Sequence, residues 1–128
     1  MTDFDIYGGF SRVTLKTPAI VTSTANTSGV DRLNYAGSNA VVTLACGPAA
    51  AGTAPTLDVK IQDSADNSSF ADVSGATFTQ VTTTASIQHI SLALDGCRRY
   101  LRAVLTVGGT DTPTFYPAII LTCLQKHP

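Results

Sequence analysis

Leu57-Asp58-Val59-Lys60-Ile61-Gln62-Asp63, then the polar run Ser64-Ala65-Asp66-Asn67-Ser68-Ser69, then a second alternating stretch through Ala76-Thr77-Phe78-Thr79-Gln80-Val81, decides the fold class. Leu57, Val59 and Ile61 point to one side and Asp58, Lys60 and Gln62 to the other, because successive side chains of an extended chain alternate in direction. The polar run reads as a turn. Beyond it Ala76, Phe78 and Gln80 are expected on one face, and Thr77, Thr79 and Val81 on the other. The whole reads as a β-hairpin with one face on a core and one in water.

Working outward, turn-forming clusters recur along the chain: Tyr7-Gly8-Gly9, Thr27-Ser28-Gly29, Ala36-Gly37-Ser38-Asn39, Gly47-Pro48, Ser74-Gly75, Asp95-Gly96 and Gly108-Gly109-Thr110-Asp111-Thr112-Pro113. Short strands between regularly spaced turns argue for an all-β antiparallel sandwich. Strands are expected near residues 12–16, 20–23, 40–46, 57–63, 77–81, 87–94, 100–107 and 115–124. Eight strands suit two four-stranded sheets in a jelly roll or a close relative. The last two are expected to pair, with 108–113 as their connection and 47–55 as a loop. Pro117 lacks an N–H and is expected at a sheet edge or bulge, where a neighbouring chain could add.

The 128 residues suit a single sandwich domain over 1–128. Charged residues make up 13%, about half the usual ~25%, while 19 Thr and 10 Ser supply neutral polarity. Thr is stiff at χ1 and suits pleated, half-buried surfaces. Net charge is −1, so no electrostatic footprint for nucleic acid or an anionic membrane is present. So few charges resist self-association weakly, which points to a surface normally covered by partners. No basic, then apolar, leader opens the sequence and no apolar run is long enough to span a bilayer, so synthesis in a cytoplasm is expected.

Chemical motifs are sparse. His89 falls on the outer face of a strand and His127 near the end of the sequence. H-E-x-x-H, G-x-S-x-G, Walker and G-x-G-x-x-G patterns are absent, so no enzyme activity, catalytic residue or cofactor is expected. Asp63, Asp66 and Asp72 could offer oxygens to calcium, but their spacing departs from the calcium-loop pattern and reads as turn chemistry, so no metal is expected. Cys46, Cys97 and Cys123 are odd in number and widely spaced, and read as buried free thiols. Arg98, Arg99 and Arg102 cluster around Tyr100, a composition common in protein interfaces and equally suited to a solvated sheet face. Phe4, Ile6, Tyr7 and Phe10 precede any clear strand. They suit either a first strand over the core or an arm, residues 1–11, reaching a neighbouring subunit.

The segments Val30 to Gly37, Val59 to Val73, Arg99 to Ala103 and Gly109 to Pro113 together resemble the head-decoration (cement) and related structural proteins of tailed bacteriophages, over about residues 28–124. The resemblance implies a non-catalytic protein on the capsid surface of the virion. It would bind the major capsid protein across capsomer joints and stabilise the head, and would itself be a homo-oligomer, dimer or trimer. Candidate contacts are Phe4, Tyr7, Phe10, Ala50, Pro55, Arg98, Tyr100, Arg102 and Pro117. Neck or tail placement is an alternative. So is a carbohydrate-binding sandwich, for which Tyr35 or Tyr116 in a groove would be needed.

Overall fold

Nine strands in two antiparallel sheets make up almost all the ordered structure of the computed structural model, which describes residues 10–32 and 39–124. They are β1 (Phe10–Lys16), β2 (Ala25–Asn26), β3 (Val30–Asp31), β4 (Asn39–Cys46), β5 (Ala51–Ser64), β6 (Ala71–Thr77), β7 (Ser86–Ala93), β8 (Tyr100–Thr114) and β9 (Pro117–Leu124). One sheet runs β1-β9-β4-β7. The other runs β2-β8-β5-β6, with the two-residue β3 also pairing β8. Apart from β3, this is the strand order of a jelly roll, in which neighbours in sequence such as β4 and β5, β6 and β7, or β8 and β9 fall in opposite sheets.

That winding corrects the expected pairing of the last two strands. β8 pairs β5, β2 and β3, whereas β9 lies between β1 and β4. The crossing happens at Phe115, which is fully buried and bridges Val21 from the 20–23 stretch. Val21 and Phe115 exchange both main-chain bonds, at 2.8 and 3.0 Å. An isolated bridge, rather than a strand, is what the 20–23 stretch forms. Pro117 starts β9 opposite Cys46, beyond the point where β1 pairing begins at Ile119. It therefore needs no ladder N–H on that side, but its strand is internal and Pro117 is buried, so no free edge exists there.

The opening stretch behaves as the alternation requires on its first strand. Leu57, Val59 and Ile61 are at most 1% exposed, while Asp58, Lys60 and Gln62 remain partly in water. Its second half differs: β6 covers Ala71–Thr77, earlier than the expected 77–81, and the chain then continues through an irregular step. Phe78 N–H donates to the Val59 carbonyl and Val81 pairs Leu57. The step switches parity, so Ala76, Phe78 and Val81 are buried and Gln80 is exposed. Gln80 instead donates to the Asp58 carboxylate.

The expected loops at 47–55 and 108–113 are also partly strand. β5 and β8 run on as a two-stranded ribbon, with register shifts between Ala51 and Thr53 and between Thr53 and Thr56. Gly109 makes the ribbon possible: its φ is +109°, and a Cβ there would lie 2.7 Å from the Ala54 carbonyl oxygen. Between the sheets, Val42 and Leu44 of β4, Leu101 and Leu105 of β8, and Ile119 and Leu121 of β9 meet the β5 row to form one core. Each such side chain contributes about 1.5–3 kcal/mol when fully buried.

Candidate contact surface

The two sheets turn very different faces to solvent. On the outside of β8, β5 and β6, charged and polar groups are engaged with one another. Lys60 pairs Asp72 at 3.0 Å. The Gln62 amide donates to Asp72 at 2.8 Å and its carbonyl accepts from Arg102 at 2.8 and 3.0 Å. The Arg102 guanidinium lies over the Phe70 ring, 4.0 Å from its centre. Arg99 binds both carboxylate oxygens of Asp31, at 2.8 and 3.1 Å, and lies 5.1 Å from the centre of Tyr100. The pairing with Asp31 raises the Arg99 pKa further above its already high ordinary value.

Arg98 is tied most firmly. Its guanidinium makes contacts of 2.9 and 3.0 Å to one carboxylate oxygen of the buried Asp63, and donates to the Asp63 carbonyl. The Arg98 N–H takes the second carboxylate oxygen at 2.9 Å. Arg32, just after β3, adds a clamp by donating to the carbonyls of Cys97 and Arg98. The arginine cluster is thus largely occupied in fastening the start of β8 to β5 and β3. Its sequence signature was visible, but its partners lie 35 to 68 positions away and only the sheet register brings them together.

The acidic turn is likewise committed to its own backbone. One Asp66 carboxylate oxygen accepts from the Ser68 and Ser69 N–H groups and the Ser64 hydroxyl, at 2.9 to 3.0 Å. These bonds, the one from Ser69 foremost, hold the Asp66 carboxyl below its ordinary range. Asn67 packs where a Cβ on Gly29 would sit, which explains a glycine at that position. Asp63, Asp66 and Asp72 therefore serve three separate sets of partners. The three cysteines are free and buried, and burial pushes each thiol's pKa up.

The outside of the β1-β9-β4-β7 sheet is nearly without charge. Register places Thr14, Ile120, Thr43 and His89 in one row across the four strands, with Arg12, Thr122, Val41 and Ser91 in the next. Ala118, Ala45 and Ile87 follow on the other side. Among the described residues of this face Arg12 is the charged one, with Lys16 at the bulged end of β1. Val41 is 40% exposed and Ile87 73%, both large for aliphatic side chains on a folded surface. His89 bonds Thr43 through Nδ1 at 2.9 Å. This face escaped the sequence reading because Val41 and Ile120 sit in near-continuous apolar strands, where alternation cannot tell inside from outside.

Of the nine candidate contacts, Phe4 and Tyr7 lie outside the described residues, and Phe10 opens β1 opposite Leu124. Ala50 is exposed beside the β5–β8 ribbon, Pro55 and Pro117 are buried, and Arg98, Tyr100 and Arg102 belong to the network above. Tyr35 also lies outside the described residues. Tyr116 is 50% exposed, but it does not line the shallow cleft of about 330 Å³ between the edges of β6 and β7, whose walls include Val73, Ala76, Leu92 and Cys97.

Winding and surface together define a jelly-roll β-sandwich that has, among the described residues, one almost uncharged face and one charged, internally paired face. The chain belongs to the Bbp16 family, whose model matches residues 15–120, and that family is associated with bacteriophages. Among solved structures it is similar to the SPBc2 prophage-derived protein YomS, at 12% identity and a TM-score of 0.53, over 88% of this chain and 92% of that one. It is also similar to a chain of the infectious bursal disease virus Gt strain, at 12% identity and a TM-score of 0.48, covering 89% of this chain and 31% of the other. No curated protein matches it in sequence. The family's association with bacteriophages points to a structural role in the virion, and the likeness to YomS shows a shared fold.

Proposed function

We propose that the chain is a capsid decoration (cement) protein, one that docks on the outer surface of the assembled head across capsomer joints and stabilises it without catalysis. The observation that carries this reading is the asymmetry of the two sheet faces. A four-stranded face nearly free of charge among the described residues loses little hydration when covered by protein, whereas the paired arginine face is suited to remain in water. The face contacts the major capsid protein, the charged sheet looks outward, and the β5–β8 ribbon with Ala50 lies at the rim. Stabilisation follows from selective binding: a protein that binds the expanded shell more tightly than its precursor shifts the equilibrium towards the expanded state. Many copies acting together make modest individual contacts sufficient.

Co-sedimentation with expanded heads and with unexpanded precursors of the phage that encodes the protein tests this role. Saturable binding to expanded heads, at a stoichiometry in proportion to the capsomer joints, is the expected result. Binding of only a few copies per particle would move the protein to the neck or tail. Binding to neither shell would remove the decoration role.

A further inference from the structure

Each described cation of the charged sheet is engaged within the molecule. Lys60, Arg98 and Arg99 pair with carboxylates, Arg102 binds Gln62 and lies over Phe70, and Arg32 donates to two carbonyls. Arg12 and Lys16, beside the uncharged face, differ: neither makes an ion pair or a side-chain hydrogen bond, and Arg12 is exposed. Both lie on β1, the border of the β1-β9-β4-β7 sheet, at most about 13 Å apart along the strand. The four strands of that sheet hold no Asp or Glu, so the sheet itself offers these cations no partner. The most exposed large apolar side chains gather on the same side. Val41 and Ile87 stand on the outer face, and burial alternates through Phe115, Tyr116, Pro117 and Ala118, which carries the outer face of β9 back to Tyr116. Val21 and Phe115 are direct partners and both buried, so Ile20, 58% exposed, falls opposite Tyr116 on the outside. Lys16 pairs Ile119, three residues beyond Tyr116, which puts the cation and the apolar pair at one corner.

We infer that the shell protein presents to this face an apolar surface bordered by Asp or Glu side chains, and that Arg12 and Lys16 bind those carboxylates and so fix which way round the sandwich sits. Covering the face brings the β1 cations to the rim of the contact. A partner without carboxylates would leave them partly desolvated and unpaired, at a cost that opposite charges offset. Complementary charge at a rim also raises the association rate and rejects the reversed placement, in which the cations would meet apolar surface. Charge complementarity thus selects the partner, and the apolar centre is what that partner covers. A phosphate polymer fits poorly, because two cations on one border neutralise few phosphates and Val41, Ile87 and Tyr116 would stay uncovered. The inference deepens the decoration reading and rests on it for the identity of the partner.

The test titrates expanded heads with the full chain, in about 50 mM and about 500 mM salt. Wild-type binding should weaken at least about fivefold in the higher salt, where rim charges are screened. The double variant Arg12→Gln with Lys16→Gln should bind at least about tenfold more weakly in low salt and lose most of the salt dependence. Lys60→Gln with Arg99→Gln removes the same charge from the opposite sheet and should bind as the wild type does. A carbodiimide, which joins an amine to a carboxylate as an amide, should couple Lys16 of the bound wild type to an Asp or Glu of the shell protein. Arg12→Lys, which keeps the charge, should add a second such link. Undiminished binding by the Arg12 and Lys16 double variant, an equal loss in both double variants, or no link from Lys16 to the shell protein would each overturn the inference and leave the decoration reading in place. A wild type that does not bind heads at all would remove that reading, and this inference with it.

Discussion

At the scale of single residues, the arginines show how a surface motif can be occupied from within. Asp63 is 8% exposed, and its carboxylate depends on Arg98 for three of its contacts, one from the main chain. Arg98→Ala removes the guanidinium and leaves a mostly buried carboxylate short of donors, a loss of about 2 kcal/mol once the half-exposed partner is discounted. Urea unfolding should show that loss, whereas removal of an arginine that only waited for a partner would leave the midpoint in place. Acid should act through Asp66 and Asp72. The carboxyl of Asp72 is held low by Gln62 and then Lys60, as that of Asp66 is by its turn N–H groups. Because both folded pKa values lie below the unfolded ones, the stabilisation is complete above the ordinary carboxylate value and fades as pH falls through the folded values. Unfolding midpoints should therefore hold steady from about pH 7 to about pH 5 and drop below about pH 4, a range set by ordinary carboxylates.

At the scale of strands, alternation located the first half of the opening hairpin, β7 and the start of β8, because each has one face in water and one in the core, whereas the apolar run of β4 showed a strand without showing which face is which. It failed where the chain leaves the two-residue period. Around Thr79 and Gln80 an irregular step moves Val81 to the inside, and in the β5–β8 ribbon glycines and Thr-rich turns carry a pairing that resembles a loop in sequence. Gly109→Ala tests the ribbon: a left-handed φ and a clash with the Ala54 carbonyl should lower stability by about 1–3 kcal/mol. A neutral result would show that 108–113 is the loop its composition suggests. The pairing of β8 with β9 was misread for a topological reason. Neighbours in sequence usually pair, but in a jelly roll these two strands belong to different sheets, and nothing local in Thr114-Phe115-Tyr116-Pro117 announces the crossing.

At the scale of the molecule, the low charge of the sequence turns out to be distributed unevenly. Arg98, Arg99, Arg102 and most of the described carboxylates gather on one sheet, and the other keeps Val41, Ile87 and Ile120 among threonines and alanines, with Arg12 on its β1 edge. Composition forecast a surface poor in charge without saying where, since only the register across β1, β9, β4 and β7 assembles the uncharged face. Val41→Lys places a charge on the exposed centre of that face. It should change stability by less than about 0.5 kcal/mol and weaken head binding at least about tenfold, equivalent to ~1.4 kcal/mol. Lys60→Ala, on the opposite sheet, should bind heads as the wild type does.

The central claim is the direction in which the sandwich faces, and electron cryo-microscopy of expanded heads saturated with the protein reads it directly. The account predicts density over the capsomer joints with the β1-β9-β4-β7 sheet against the shell and Arg98, Arg99 and Arg102 away from it. Density with the arginine-bearing sheet against the shell, or no density on the head at all, would contradict it.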